Sequence, residues 1–274
     1  METKESYLKI ENDYLFYRRG EILPGRKTLL FVHGLGESGL CFREVFEDNR
    51  FSAFNLIVPD LIGYGRSSKS AGGNYSFRFQ ISRLSKLVNR LEIEELILVG
   101  HSMGGDITTL FCREGPENII KGYVNVEGDI TQFDVFISNH AVAAYKENRF
   151  YEWFYNDFMN NRIYRTLGNR YPSARRYYAS LSFCRFEAFL SNAREVIKRN
   201  TLLEGRFKSE IGEIYSKLTL PRVYCYGTES VPEETLSFLE TKGLRSKAFK
   251  GAGHWLMIDK AAEFYDFLHS FVSP

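Results

Sequence analysis

The residues Gly100-His101-Ser102-Met103-Gly104-Gly105 contain the pattern G-x-S-x-G. A serine hydroxyl is a poor nucleophile near neutral pH. It becomes a useful one when a base stands within hydrogen-bond reach and a carboxylate orients that base. The base for such a serine is a histidine, and the chain has five. His269 falls in the last apolar-striped stretch, and His140 has no glycines around it. His101 adjoins Ser102 and reads as locked in the packing of its own turn. His33 opens a loop in which backbone shape is the better reading. His254, in Gly251-Ala252-Gly253-His254-Trp255, comes late in the chain, as the order Ser, acid, His requires. The acid is open on these grounds, among Glu127, Glu229 and Asp129. Asp60 follows Pro59 in a glycine-rich loop and reads as a turn residue.

These side chains need elements that bring them together. Leu96–Gly100 is an apolar run suited to a strand buried on both faces, and Asp106–Cys112 reads as the start of a helix that stops at Gly115-Pro116. Ser102 therefore sits on a sharp strand-to-helix turn, where Gly100, Gly104 and Gly105 leave room. Further inner strands are expected at Thr28–Val32, Phe54–Val58, Gly122–Val126, Pro221–Tyr226 and Ser246–Phe249. Tyr7–Arg19 reads as a hairpin. Helices are expected over Ser76–Leu91, Pro232–Thr241 and the C-terminal stretch carrying Phe264, Phe267, Leu268 and Phe271. Alternating strands and helices imply an α/β fold, with a mostly parallel sheet covered by helices on both faces. Ligands bind such sheets beyond the carboxyl ends of the strands, where His33, Ser102, Glu127 and His254 all fall. Between Ile130 and Leu218 the alternation stops, and nearly ninety residues read as helical, crowded with aromatics and bases.

The 274 residues are 44% hydrophobic and 26% charged, enough for one domain with a sizeable core and an insertion. A net charge of +2 gives no case for nucleic acid. Met1–Lys9 lacks the basic and apolar regions of a secretory signal, and no apolar run approaches the ~18 residues of a membrane span. Cys41, Cys112, Cys184 and Cys225 are scattered and read as reduced thiols, so a cytoplasmic location is expected. No metal or organic cofactor is suggested. The oligomeric state is not legible.

Four motifs stand in order: His33-Gly34-Leu35-Gly36, Pro59-Asp60-Leu61-Ile62-Gly63-Tyr64-Gly65-Arg66-Ser67, Gly100–Gly105 and Gly251–His254. Together they resemble the α/β-hydrolase fold family over nearly the whole chain apart from the insertion. The resemblance implies an eight-stranded sheet with a helical cap inserted after the sixth strand. Residues 1–129 and 219–274 would form the core and residues 130–218 the cap.

The chain departs from the family's commonest pattern at the acid. After the seventh strand that pattern is roughly G-x-x-D, whereas here Gly227-Thr228-Glu229-Ser230 puts Ser230 at the Asp position. Some members, certain haloalkane dehalogenases among them, carry the acid after the sixth strand instead. Glu127 stands there, 25 residues after Ser102. An unpaired carboxylate ending an apolar strand is costly to bury, and pairing with His254 removes that cost. Glu127 is therefore the expected acid, with Glu229 as fallback and Asp129 behind it. The oxyanion donors are expected to be the backbone N–H groups of Met103 and Leu35.

Aromatics of the insertion (Tyr151, Trp153, Phe154, Tyr155 and Phe158) either line a pocket or pack the cap. Its bases (Arg162, Arg165, Arg170, Arg175, Arg176 and Arg185) either attract an anion or form a solvated face. The leading function is hydrolysis of carboxylic esters through a Ser-His-Glu triad and an acyl-enzyme, on a small apolar or amphipathic ester. The alternatives are hydrolysis of a C–C bond in a dienoic keto acid and a non-catalytic small-molecule-binding protein of the same fold. A serine at position 102 argues against dehalogenase and epoxide hydrolase chemistry, which needs a carboxylate nucleophile.

Overall fold

A computed structural model describes residues 2–116 and 118–273; the expected core ends, positions 1 and 274, lie outside the described residues. Eight strands form one sheet in the order β1-β2-β4-β3-β5-β6-β7-β8. They are β1 (Lys4–Ile10), β2 (Asp13–Arg19), β3 (Thr28–Val32), β4 (Asn55–Pro59), β5 (Leu96–His101), β6 (Ile120–Val126), β7 (Arg222–Gly227) and β8 (Ser246–Phe249). β1 and β2 make an antiparallel hairpin, β2 runs antiparallel to β4, and every pairing from β4 to β8 is parallel.

The central strands β3, β4 and β5 are buried throughout, as expected of strands covered on both faces. Helix α1 (Phe77–Arg90) lays Phe77, Ile81, Leu84, Leu87 and Val88 on the core, and its N-terminus is capped by the Ser76 hydroxyl accepting from the Phe79 N–H. Helix α2 (Met103–Glu114) is buried from Met103 to Cys112. Each aliphatic side chain buried in this way contributes ~1.5–3 kcal/mol relative to exposure. Pro232, Ser246–Phe249 and the last helix, Ala261–Val272, fall where the patterning puts them, within a residue or two. Two short 3₁₀ segments, Gly39–Phe46 and Asn49–Ala53, occupy a stretch the periodicity did not mark.

β4 pairs with one edge of β3 and β5 with the other. The loops leaving β3 and β5 therefore part at the carboxyl ends of the strands, and a crevice opens between them. Between β6 and β7 no strand occurs among the described residues. Instead α3 (Phe136–Lys146), a π-helical segment Trp153–Thr166 and the helices Pro172–Leu181, Phe186–Asn200 and Glu210–Lys217 follow one another, the last of them packed on α2 with Tyr215 against Tyr123 of β6 and Tyr224 of β7. The four cysteines are buried and free. Among the described residues no helix is long and apolar enough to cross a membrane.

Candidate active site

Ser102 connects β5 to α2 with φ 51° and ψ −129°, in the left-handed region that β-carbon-bearing residues rarely adopt. Its N–H donates to the Val126 carbonyl at 2.9 Å, and its own carbonyl accepts from the Gly105 N–H at 2.6 Å. The turn is so tight that a β-carbon at Gly104 would stand 2.1 Å from the Val32 carbonyl oxygen. Met103 is the first residue of α2, so its N–H has no acceptor within the helix and is free for a ligand oxygen. Across the crevice, the loop after β3 turns at Gly36 with φ 75°, where a β-carbon would collide with Leu181 and Tyr177. The Tyr177 hydroxyl donates to the Leu35 carbonyl at 2.8 Å and fixes this loop beside Ser102.

His254 Nδ1 lies 2.6 Å from Glu127 Oε2. The second carboxylate oxygen, Oε1, accepts from the Gly227 N–H and from the Ser230 hydroxyl, each at 2.6 Å. With its proton on Nδ1, the ring presents a lone pair at Nε2. Burial works against the His254 cation, but the hydrogen bond and charge of Glu127 outweigh it, so the imidazole pKa is raised above its ordinary value. Ser230, standing where the family's common Asp would be, hydrogen-bonds Glu127 instead of replacing it. Glu229 is turned away: it ion-pairs with Arg170 and accepts from the Tyr171 hydroxyl at 2.7 Å. Asp129 makes no hydrogen bond to His254 among the described residues.

A second buried acid–histidine pair lies behind the first. Glu37 Oε2 accepts from the Gly34 N–H at 2.6 Å and stands 2.9 Å from His101 Nδ1; its Oε1 accepts from the Trp255 indole. His101 Nε2 is 2.9 Å from the His254 carbonyl oxygen. One carboxylate thus ties together the loop after β3, the turn carrying Ser102 and the loop carrying His254. Burial works to raise the Glu37 pKa, but the charge and hydrogen bond of His101, with the Gly34 N–H, bring it down to about 2. A carboxyl with a depressed pKa stabilises the fold above its ordinary range, and the contribution is lost as pH falls through that range toward 2. Glu37→Gln is therefore expected to lower stability by ~3 kcal/mol at neutral pH. Thermal melts taken from pH 7 to pH 2 should show the gap from wild type closing at the acid end. A pH-independent gap would refute the charged pairing. Glu37 was not singled out from the sequence, because its partners lie in segments far apart in the chain.

The other histidines stand apart from Ser102's cavity. His33 is fully buried, accepting from the Leu61 N–H at Nε2 and bonding the Gly34 carbonyl through Nδ1; burial lowers its pKa. His140 is exposed on α3, and the half-buried His269 packs on Phe51 and Phe54. Asp60 organises its loop by accepting from the Gly39 and Arg66 N–H groups.

Ser102, His254, Leu35 and Met103 face a cavity of about 440 Å³. Of the two alternatives for the insertion's aromatics, packing is the one observed, since none of Tyr151, Trp153, Phe154, Tyr155 and Phe158 lines the cavity. Trp153, Phe154 and Phe158 pack within the insertion, with Trp153 stacked on Phe158 at 5.0 Å and Phe154 against Phe189 at 5.2 Å. The roof over Ser102 comes from Phe133, Phe136, Tyr171 and Tyr177 instead. Of the six bases only Arg162 reaches the wall, resting 4.7 Å over the Phe136 ring. Arg170 pairs with Glu229, and Arg176 pairs with Glu44.

The family model described as "alpha/beta hydrolase fold" matches residues 27–261. The chain belongs to the α/β-hydrolase fold family. This α/β hydrolase is 35% identical over 94 residues to the uncharacterized hydrolase YugF of Bacillus subtilis, covering 34% of each chain. The first curated relatives it matches are thus spanned over about a third of their length. It is 25% identical over 260 residues to the 2-hydroxymuconate semialdehyde hydrolase of a Pseudomonas species, covering 89% of this chain and 86% of that one. Among solved structures, the esterase EaEST from Exiguobacterium antarcticum superposes with a TM-score of 0.75 at 16% identity, covering 98% of this chain and 99% of that one. That likeness is one of fold.

Proposed function

We propose that this α/β hydrolase cleaves small carboxylic esters through a Ser102-His254-Glu127 triad, with residues 130–218 as a cap over a core of residues 1–129 and 219–274. The observation that carries the reading is the 2.6 Å contact between His254 and Glu127, at the same cavity as a serine held in the left-handed conformation. In the proposed sequence Ser102 Oγ attacks the ester carbonyl and passes its proton to His254 Nε2. The Met103 and Leu35 N–H groups receive the developing oxyanion. His254 then protonates the departing alkoxide, and water, activated by the same ring, releases the acid. Glu127 holds the Nδ1 proton and stabilises the imidazolium formed in each step.

A fluorophosphonate probe and a panel of p-nitrophenyl esters of rising chain length test this reading. Labelling together with turnover supports it, while a folded protein that does neither would sink it and favour the non-catalytic alternative. The pH profile follows from the sign of the His254 shift. A protonated ring cannot accept the Ser102 proton, so kcat/KM should fall as pH drops through a value above the ordinary imidazole pKa of ~6.5. In Glu127→Gln the residual activity should have its acid limb at lower pH, because the largest influences that offset burial are then gone. An unmoved limb would remove His254 or its partner from the mechanism.

One observation favours a second reading. Arg162 faces the cavity with no carboxylate hydrogen-bonded to it among the described residues, which suits a substrate bearing a carboxylate. The 2-hydroxymuconate semialdehyde hydrolase likeness points to the same C–C hydrolase alternative. Turnover of a dienoic keto acid without turnover of esters would select it.

A further inference from the structure

Four carboxyl groups face the cavity: Glu37, Asp129, Asp134 and Glu229. Three of them are satisfied. Glu37 and Glu229 have the partners described above. Asp134 Oδ2 accepts from the Ile130 and Thr131 N–H groups and the Thr131 hydroxyl, and its Oδ1 accepts from the Thr235 hydroxyl at 2.6 Å. Asp129 differs. It is 93% buried, with 7% of its surface exposed, and no side chain or backbone group hydrogen-bonds its carboxyl among the described residues. Its own N–H donates to Asp106 Oδ1 at 3.1 Å, which docks it one helical turn along α2 from Ser102. Asp106 in turn accepts from the Asn200 amide at 2.9 Å.

Asp106 and Asp134, the two acids that act on Asp129, already have donors, and the Asp129 carboxyl has none. Burial pushes the Asp106 carboxyl up as well as that of Asp129, but Asp106 has the Asp129 N–H and the Asn200 amide as donors whereas the Asp129 carboxyl has none, so the proton belongs on Asp129. The groups that act on it are Asp106 from α2 and Asp134 from the segment before α3; burial first, then these two, push its pKa well above the usual carboxylate range. A neutral carboxylic acid is a hydrogen-bond donor, and this one faces the cavity.

We propose that Asp129 is a substrate-binding acid that donates its O–H to a second oxygen of the substrate, beyond the scissile carbonyl. The substrate class is then an oxygenated ester, with a keto, ether or hydroxyl oxygen near the ester group, rather than a plain alkyl ester. This deepens the esterase reading and rests on it.

The test compares wild type, Asp129→Asn and Asp129→Leu on p-nitrophenyl esters of matched length, in which successive methylenes of the acyl chain are replaced by ether oxygen or carbonyl. Wild type should favour at least one oxygenated ester over its alkyl match by ~10-fold in kcat/KM, about the worth of one buried hydrogen bond. Asp129→Asn, which still donates, should keep that preference, and Asp129→Leu should lose it. Equal preference in all three proteins, or loss in Asp129→Asn as large as in Asp129→Leu, overturns the proposal. ¹³C NMR of aspartate-labelled protein gives a reading that does not depend on turnover. The resonance missing in Asp129→Asn should stay at the protonated position to pH values well above the ordinary carboxylate range. It should move on adding the uncleaved amide analogue of the oxygenated ester, and not on adding its alkyl match. A carboxylate position, or no response to either amide, overturns the donor role. Failure of every ester to turn over would fall on the esterase reading alone.

Discussion

Ser102→Ala is expected to abolish probe labelling and to lower kcat for ester cleavage by ~10⁴–10⁶-fold while the protein stays folded. The size of the effect follows from what the hydroxyl does. Without it no covalent acyl-enzyme forms, and the remaining catalysis comes from the oxyanion donors and binding. The fold should survive because the bonds that shape the turn belong to the backbone: the N–H to Val126 and the carbonyl from Gly105. Alanine keeps both and meets the same left-handed strain that serine already bears. A melting temperature within a few degrees of wild type, with no labelling and no turnover, is the expected result. Residual labelling at the wild-type rate would place the nucleophile elsewhere.

The order of certainty in the sequence tracks how local each signal is. β5, the turn and α2 form one continuous stretch, so the position of Ser102 could be read from a dozen residues. His254 needed only its chain order and a glycine-rich loop. The sheet was legible because its inner strands are continuous apolar runs. Ser246–Phe249 was legible too, as the last strand before the glycine-rich loop of His254, and the family likeness added the count of eight and the reading of the helical insertion as a cap. Side-chain partnerships between distant loops are another matter. Glu37 meets Gly34, His101 and Trp255, which no spacing rule connects. The aromatics of the insertion looked alike in sequence, but a helix shows only one face to the cavity. Trp153, Phe154 and Phe158 turned to the helical interior, where apolar area was available. The 3₁₀ segments between Gly39 and Ala53 have no repeat long enough to register as a periodicity.

The carboxylate gives the second large prediction, a ranking between two neighbours in the loop region. Glu127→Gln is expected to lower kcat/KM by ~10³–10⁴-fold, and Glu229→Gln by less than ~3-fold. In the wild type, Glu127 accepts at both oxygens: His254 Nδ1–H at one, Gly227 N–H and Ser230 O–H at the other. Glutamine has a single carbonyl oxygen. The Gly227 N–H cannot rotate away, so it claims that oxygen, and the amide NH₂ faces His254 Nδ1. A donor there forces the ring proton to Nε2, the nitrogen that must accept from Ser102. The base is then present in the wrong tautomer, which costs rate without removing any atom of the site. Glu229 has no such role open to it. Its carboxylate is committed to Arg170 and Tyr171 at a partly exposed edge of the cavity, where an ion pair contributes ~0–1 kcal/mol. The two variants differ by the same change of one oxygen to an amide, so their ratio isolates position from chemistry. If Glu229→Gln proves the more damaging, the acid belongs to the β7 loop after all, and the contact between Glu127 and His254 is a structural pair.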